Sequence, residues 1–185
     1  IVQKESTIKV IEKAKRFGKP VVAGGPLFTT GHEDFPNVDH MFLGEAEDTL
    51  PLFIEDMKKN DCKKIYSSID IFPDISEALV PDWNLANISK YNSLCIQYSR
   101  GCPFDCEFCD VVVLNGRKPR AKSKEQIINE LNALYSINWR AGVFFVDDNL
   151  IGNKTKLKKE ILPAIIQWQK KRDYPFSFNT QVSIN

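Results

Sequence analysis

Cysteine is scarce in this chain, and five in 185 residues cannot staple a disulfide scaffold. Long apolar runs are missing, and no signal-peptide pattern opens the chain, so neither a membrane span nor export is expected. The thiols are accordingly expected to be reduced and cytoplasmic. An excess of charge is missing too. Lys and Arg number 25 against 24 Asp and Glu, and a net charge of +1 points to neither nucleic acid nor an acidic substrate. There is no internal repeat and no low-complexity segment. What remains is an ordinary globular composition, 43% hydrophobic and 26% charged, enough for one domain or parts of two. The chain starts at Ile1 in a helical pattern and stops at Ile184-Asn185 by a strand-like stretch, so it is expected to be a piece of a longer protein.

The front third alternates helix and strand. Ser6 or Thr7 can cap a helix with Ile8, Ile11 and Ala14 on one face and Gly18 as its stop. Residues 20–26 read as a short buried strand ending in Gly24-Gly25-Pro26, followed by a polar loop over 27–38. His40-Met-Phe-Leu43 reads as a second strand, and Leu50, Phe53, Ile54 and Met57 form a helical stripe after it. Residues 59–90 carry little periodicity and read as a linker. The pattern restarts with a strand over 93–98. A helix follows, capped by Ser123 and Gln126 and carrying Ile127, Ile128, Leu131, Leu134 and Tyr135. A strand over 143–146, a helix with Leu157, Ile161, Ile165 and Trp168 on one stripe, and a strand over 176–182 complete it. Strand, helix, strand, helix, strand predicts an α/β fold with parallel strands.

Three of the five cysteines fall within eight residues, Cys102-Pro-Phe-Asp-Cys106-Glu-Phe-Cys109, in the loop after the first of those strands. Three thiolates so placed suit a metal. A structural zinc site wants four ligands, and only Cys62 and Cys95 are left to supply one. Cys95 sits mid-strand, where packing as a small apolar residue is expected. An iron–sulfur cluster held by three cysteines keeps one iron open, as a reactive site requires. On spacing alone both readings stand.

The C-x3-C-x2-C spacing, with Phe108 before the last cysteine, resembles the signature of the radical S-adenosylmethionine (SAM) enzymes. That resemblance implies that Cys102, Cys106 and Cys109 hold a 4Fe-4S cluster whose open iron binds SAM, with Phe108 near the adenine. It further implies reductive cleavage of SAM to a 5′-deoxyadenosyl radical, on a partial TIM-like barrel that begins with the strand before the loop. Asp147-Asp148-Asn149 ends the next strand. In the family this position meets the SAM amino group, a role carried here onto Asp147 and Asp148 without deciding between them. By itself the pair reads equally as a turn cap.

Gly24-Gly25 and Gly44-Glu45 close the two front strands. Taken alone they read as tight turns of a structural α/β unit or as a close backbone approach to a ligand. Ahead of a radical SAM barrel they resemble the cobalamin-binding branch of the family, in the subgroup that includes hopanoid methylases. The resemblance implies that Gly24, Gly25, Gly44 and Glu45 line a cobalamin pocket. The cobalt-ligating D-x-H-x-x-G motif is absent, and His32 and His40 are read as structural or solvated. The expected organisation is the C-terminal half of a Rossmann-like cobalamin-binding domain over 1–58, a linker over 59–90, and the first part of the barrel over 91–185. The expected activity is cobalamin-dependent methyl transfer to an unactivated carbon of a small-molecule or lipid substrate, with a flavodoxin or ferredoxin as electron donor. A different radical step, or a non-catalytic module with a structural metal, are the alternatives. Basic residues 117–122 read as surface charge or as neighbours of an anion. Lys154, Lys156, Lys158, Lys159, Lys170, Lys171 and Arg172 read as a solvated helix face, and Trp139 and Trp168 as packing residues.

Overall fold

The computed structural model describes residues 3–183, the side chain of Glu77 excepted. The expectations for Ile1 and for Ile184-Asn185 lie outside the described residues. The chain divides into two compact units, one up to Pro73 and one from Asp74.

The first unit runs α1 (Lys4–Arg16), β1 (Val22–Ala23), α2 (Pro26–Gly31), β2 (His40–Leu43), α3 (Thr49–Lys59) and β3 (Ile65–Ser67). Its three strands form a parallel sheet in the order β1-β2-β3. Met41, Phe42 and Leu43 of β2 are buried on both faces, which is why they read as an apolar run rather than an alternation. Met41 and Leu43 pack with Ile11, Phe28, Phe35 and Val38. Phe42 points the other way, into Phe53 and Tyr66, with ring centroids 5.4 to 5.5 Å apart.

Several local expectations fail here, each for a physical reason. Ser6 and Thr7 lie inside α1 rather than capping it, and the Thr7 hydroxyl donates back to the Gln3 carbonyl at 3.0 Å. Gly18, at φ +64°, does end the helix. The polar loop holds α2, because Pro26 presets the first helical turn and Phe28 and Phe35 bury against each other. Of the α3 stripe only Phe53 is buried. Leu50, Ile54 and Met57 are exposed, since the helix meets its sheet through the one aromatic cluster. β3 falls within 59–90. Three residues buried exposed-buried-exposed are too few to show a period.

The second unit runs β4 (Ser93–Ile96), β5 (Ser99–Arg100), α4 (Val111–Asn115), β6 (Arg120–Ala121), α5 (Lys124–Ser136), β7 (Gly142–Phe145), α6 (Lys154–Lys156), α7 (Leu162–Lys170) and β8 (Ser177–Thr180). A π-helical turn, Leu157–Ile161, joins α6 to α7 and leaves room for Pro163, which would clash with a regular preceding turn. β4, β7 and β8 make a second parallel sheet, with Leu94, Val143 and Phe178 in register. Its core gathers the predicted residues: Leu94, Ile96, Val143 and Phe145 from the strands, Ile127, Leu131 and Leu134 from α5, and Leu157, Ile161, Ile165 and Trp168 from the last helix. The Ser123–Gln126 capping box forms as expected, with bonds of 2.8 and 3.1 Å. Trp139 and Trp168 are buried, their indole N–H groups on Gly142 O and Asn132 Oδ1.

Candidate functional site

Because β4 and β7 are parallel neighbours, their C-terminal ends share one edge of the sheet. The cysteine loop leaves from one end and the acidic turn from the other. After β4 the chain makes a short antiparallel ribbon, β5 with β6, before entering the loop. Gly101 then turns at φ +88°. A Cβ there would stand 2.9 Å from the carbonyl oxygens of Asn115 and Gly116 and 3.0 Å from that of Lys118. The Cys102 N–H donates to Gly116 O at 3.1 Å, closing the loop at its base. Only glycine satisfies both the backbone angle and the close approach. Gly101→Ala is therefore expected to destabilise the second unit by roughly 1–3 kcal/mol, read as a lower denaturation midpoint by tryptophan fluorescence.

Within the loop, Cys102 and Cys109 are half-buried and Cys106 is exposed. The Cys109 N–H donates to Cys106 O at 3.0 Å, a tight turn between the second and third thiols. None of the three is in a disulfide. Among the described residues no three His, Cys, Asp or Glu side chains converge on one metal position. What the loop offers is three free thiols on a fixed base, donors that suit a thiophilic metal or an iron–sulfur cluster. Phe108 is 91% exposed. Cys62 borders the aromatic cluster of the first unit. Cys95, expected to pack, is exposed instead. It lies on the sheet face opposite Leu94 and Ile96, which take the core side.

The two carboxylates of the acidic turn differ sharply. Asp147 is 1% exposed and accepts from the Tyr98 N–H at 3.0 Å, the Ser99 hydroxyl at 2.6 Å and the Ser99 N–H. Burial pushes its carboxyl up, against the pull of those donors. Asp148 is half-buried and accepts from Asn115 Nδ2 at 2.9 Å. Asn149 is buried, its Nδ2 on the Ser183 hydroxyl at 3.1 Å. Just after β6, Lys122 forms a buried ion pair with Glu130 of α5, although Lys122 belongs to the basic run read as surface charge or an anion's neighbour. Sequence periodicity held the missed signal: Glu130 sits on the same α5 stripe as Ile127, Leu131 and Leu134. Fully buried Tyr98 lies beside this network, its phenol pushed up to about 12 by burial first and the Asp147 charge second.

In the first unit, Gly44 turns at φ +85°, and a Cβ would meet Ser68 at 2.7 to 2.9 Å. Its N–H donates to the Thr29 hydroxyl at 3.0 Å, and the Ser68 hydroxyl donates to Glu45 O at 2.5 Å. A Cβ on Gly24 would touch Phe42 at 3.2 Å, whereas one on Gly25, at φ +88°, would meet nothing within 4 Å. His40 Nδ1 lies 2.6 Å from the Lys63 carbonyl, and Asp39, beside it, is held low by Lys15 and by the Val21 N–H. Among the described residues no helix is long and apolar enough to cross a membrane.

No protein-family model matches the chain. An uncharacterized methyltransferase of Synechocystis sp. is 42% identical over the whole of this chain and 34% of its own length. The hopanoid C-2 methylase of Rhodopseudomonas palustris is 35% identical over the whole chain and 35% of its own length. The bacteriochlorophyllide d C-8(2)-methyltransferase of Chlorobaculum tepidum is 28% identical over 80% of the chain and 36% of its own length. The chain thus spans about a third of the curated relatives it matches. Among solved structures, the cobalamin-dependent SAM radical enzyme OxsB, with aqua-cobalamin and SAM bound, has the same fold. Its TM-score is 0.70 at 21% identity, over 95% of this chain and 28% of that one. With its C-x3-C-x2-C loop, its acidic turn on the neighbouring strand and these relatives, the chain belongs to the cobalamin-binding radical SAM family, whose members include the hopanoid methylases.

Proposed function

We propose that this chain is the part of a radical SAM methyltransferase that holds the cluster and SAM, and that the whole enzyme transfers a methyl group by way of cobalamin. The observation that carries the reading is the shared sheet edge: three free thiols after β4, and two carboxylates after β7, its parallel neighbour. The first unit is proposed as the C-terminal half of a Rossmann-like cobalamin-binding domain, its 1–58 core extended by β3. Residues 91–185 are proposed as the opening strands of a partial TIM-like barrel.

Cys102, Cys106 and Cys109 would hold a 4Fe-4S cluster, leaving one iron for SAM. When bound, the cluster supplies the electron that cleaves SAM, and cobalamin supplies a methyl carrier. The chain's own residues bind and orient. The acidic turn offers negative charge to the SAM ammonium, and exposed Phe108 offers a flat apolar surface to the adenine. Of the strand-end glycines Gly24, Gly25 and Gly44, Gly25 is the one with open space where a side chain would be and is the one proposed to admit cobalamin, while Gly24, Gly44 and Glu45 shape the strand-end turns. An electron donor such as flavodoxin or ferredoxin would approach the loop from its exposed side, where Phe104 and Cys106 face outward. The names of the relatives support a small-molecule or lipid substrate.

The test is anaerobic reconstitution of the full-length protein with iron and sulfide. EPR of the reduced cluster is then recorded with and without SAM. A cubane signal that shifts on adding SAM is expected. A protein that takes only zinc, or a cluster indifferent to SAM, overturns the reading in favour of a structural metal module.

A further inference from the structure

The acidic turn presents two adjacent carboxylates, and their surroundings assign them different work. We propose that Asp147 is a positioning residue that fixes the entry of the cysteine loop, and that Asp148 is the carboxylate left to meet the ligand's cation. The division of roles rests on the reading above, whereas the brace itself rests on geometry alone.

Asp147 lies two residues past the end of β7 and is closed off from solvent. A carboxylate has about four lone-pair positions, and three donors already fill the space around this one: the Tyr98 N–H, the Ser99 N–H and the Ser99 hydroxyl. These bonds bridge 48 and 49 residues of sequence. They take hold of the backbone immediately before the loop. From Ser99 the fixation passes on without slack. Ser99 pairs with Ala121 and Arg100 with Arg120. Gly101 sits against the carbonyls of Asn115, Gly116 and Lys118, and Cys102 donates to Gly116 O. Cys102, the first thiol, is therefore three residues from the carboxylate's grip. A ligand ammonium at Asp147 would have to enter a place closed to solvent and compete for its oxygens with donors that would be left unpaired if displaced. Asp148 meets no such obstacle. It is half-buried, one of its oxygens takes the Asn115 amide, and the other carries no hydrogen bond among the described residues.

The test uses the full-length protein and four variants: Asp147→Asn, Asp148→Asn, Ser99→Ala and Ser99→Thr. In the apo-protein, hydrogen exchange of the amides over 97–101 is expected to speed up at least tenfold in Asp147→Asn and several-fold in Ser99→Ala. It should stay unchanged in Asp148→Asn. After reconstitution, Asp147→Asn is expected to lower the maximal rate of 5′-deoxyadenosine formation tenfold or more, with the KM for SAM shifted less than threefold. Asp148→Asn is expected to act mainly on KM, raising it tenfold or more. Ser99→Thr, which keeps the hydroxyl, restores most of what Ser99→Ala loses. Unchanged exchange in Asp147→Asn, or a rise in KM with the maximal rate intact, overturns the proposal. Should Asp147→Asn fail to fold, Ser99→Ala carries the same readouts. A wild-type cluster indifferent to SAM sinks the functional reading alone and leaves the brace to be decided by exchange.

Discussion

Cys106→Ala in the full-length protein is expected to abolish the SAM-responsive EPR signal and 5′-deoxyadenosine formation together. Cys106 is the middle thiol of the loop and the exposed one, so its removal costs the fold little. The loop base is held elsewhere, by Gly101 beneath its carbonyl roof and by the Cys102 N–H on Gly116 O. The loss therefore falls on the ligand set. A cluster held by two thiolates instead of three loses iron or fails to assemble, and iron per chain should fall with the signal. Cys62→Ala and Cys95→Ala are the controls. Cys62 borders the Phe42–Phe53–Tyr66 cluster in the first unit, and Cys95 lies on β4, before the loop begins. Both should keep the cluster. Loss of iron in Cys62→Ala or Cys95→Ala would mean a four-cysteine closed site and would end the radical enzyme reading.

How far the sequence could be read depended on how much of each element's stabilisation is local. The Ser123–Gln126 capping box and the stripe from Leu157 to Trp168 are set by neighbours three or four residues away, and both stand as expected. β2 was legible because two buried faces give a continuous apolar run. β3 and α2 were not. One is three residues long, and the other depends on Phe28 finding Phe35. The α3 stripe shows the opposite error, since an apolar period states what can be buried and not what the neighbouring sheet has room to cover. At the site, the spacing marked the three cysteines as candidate ligands, and the structure shows them free on the one loop after β4. The difference between Asp147 and Asp148 was not, because it arises from donors 48 and 49 residues away. Lys122 was hidden by its basic neighbours, although its partner could have been found on the apolar stripe of α5.

That buried pair carries the other large effect. Lys122 is 6% and Glu130 2% exposed, and their side chains are in direct contact. Desolvating two charges is costly, and the pair stands only because each compensates the other. Glu130→Ala leaves an ammonium in an apolar core and is expected to destabilise the second unit by about 3–5 kcal/mol. Lys122→Met leaves the carboxylate instead. Burial already pushes the Glu130 carboxyl up, with Lys122 pulling against it. Without Lys122 the neutral form is the one the fold tolerates. A carboxyl raised on folding supplies stability at low pH and loses it as pH rises through the folded value. The Lys122→Met chain should therefore unfold more easily at pH about 8 than at pH about 5. The double variant Lys122→Met, Glu130→Leu removes both charges and should regain most of the loss, so the two single effects will not add. All three tryptophans, Trp83, Trp139 and Trp168, lie in the second unit, so denaturant titration followed by their fluorescence reads it separately from the first. If the double variant is as unstable as the sum of the singles, the pair is not coupled and its burial needs another cause. If it recovers, the next question is the loop. The Lys122 backbone N–H donates to Tyr98 O at 2.9 Å, on the residue whose own N–H Asp147 holds, so Lys122 is tied through its backbone to the chain that enters the cysteine loop.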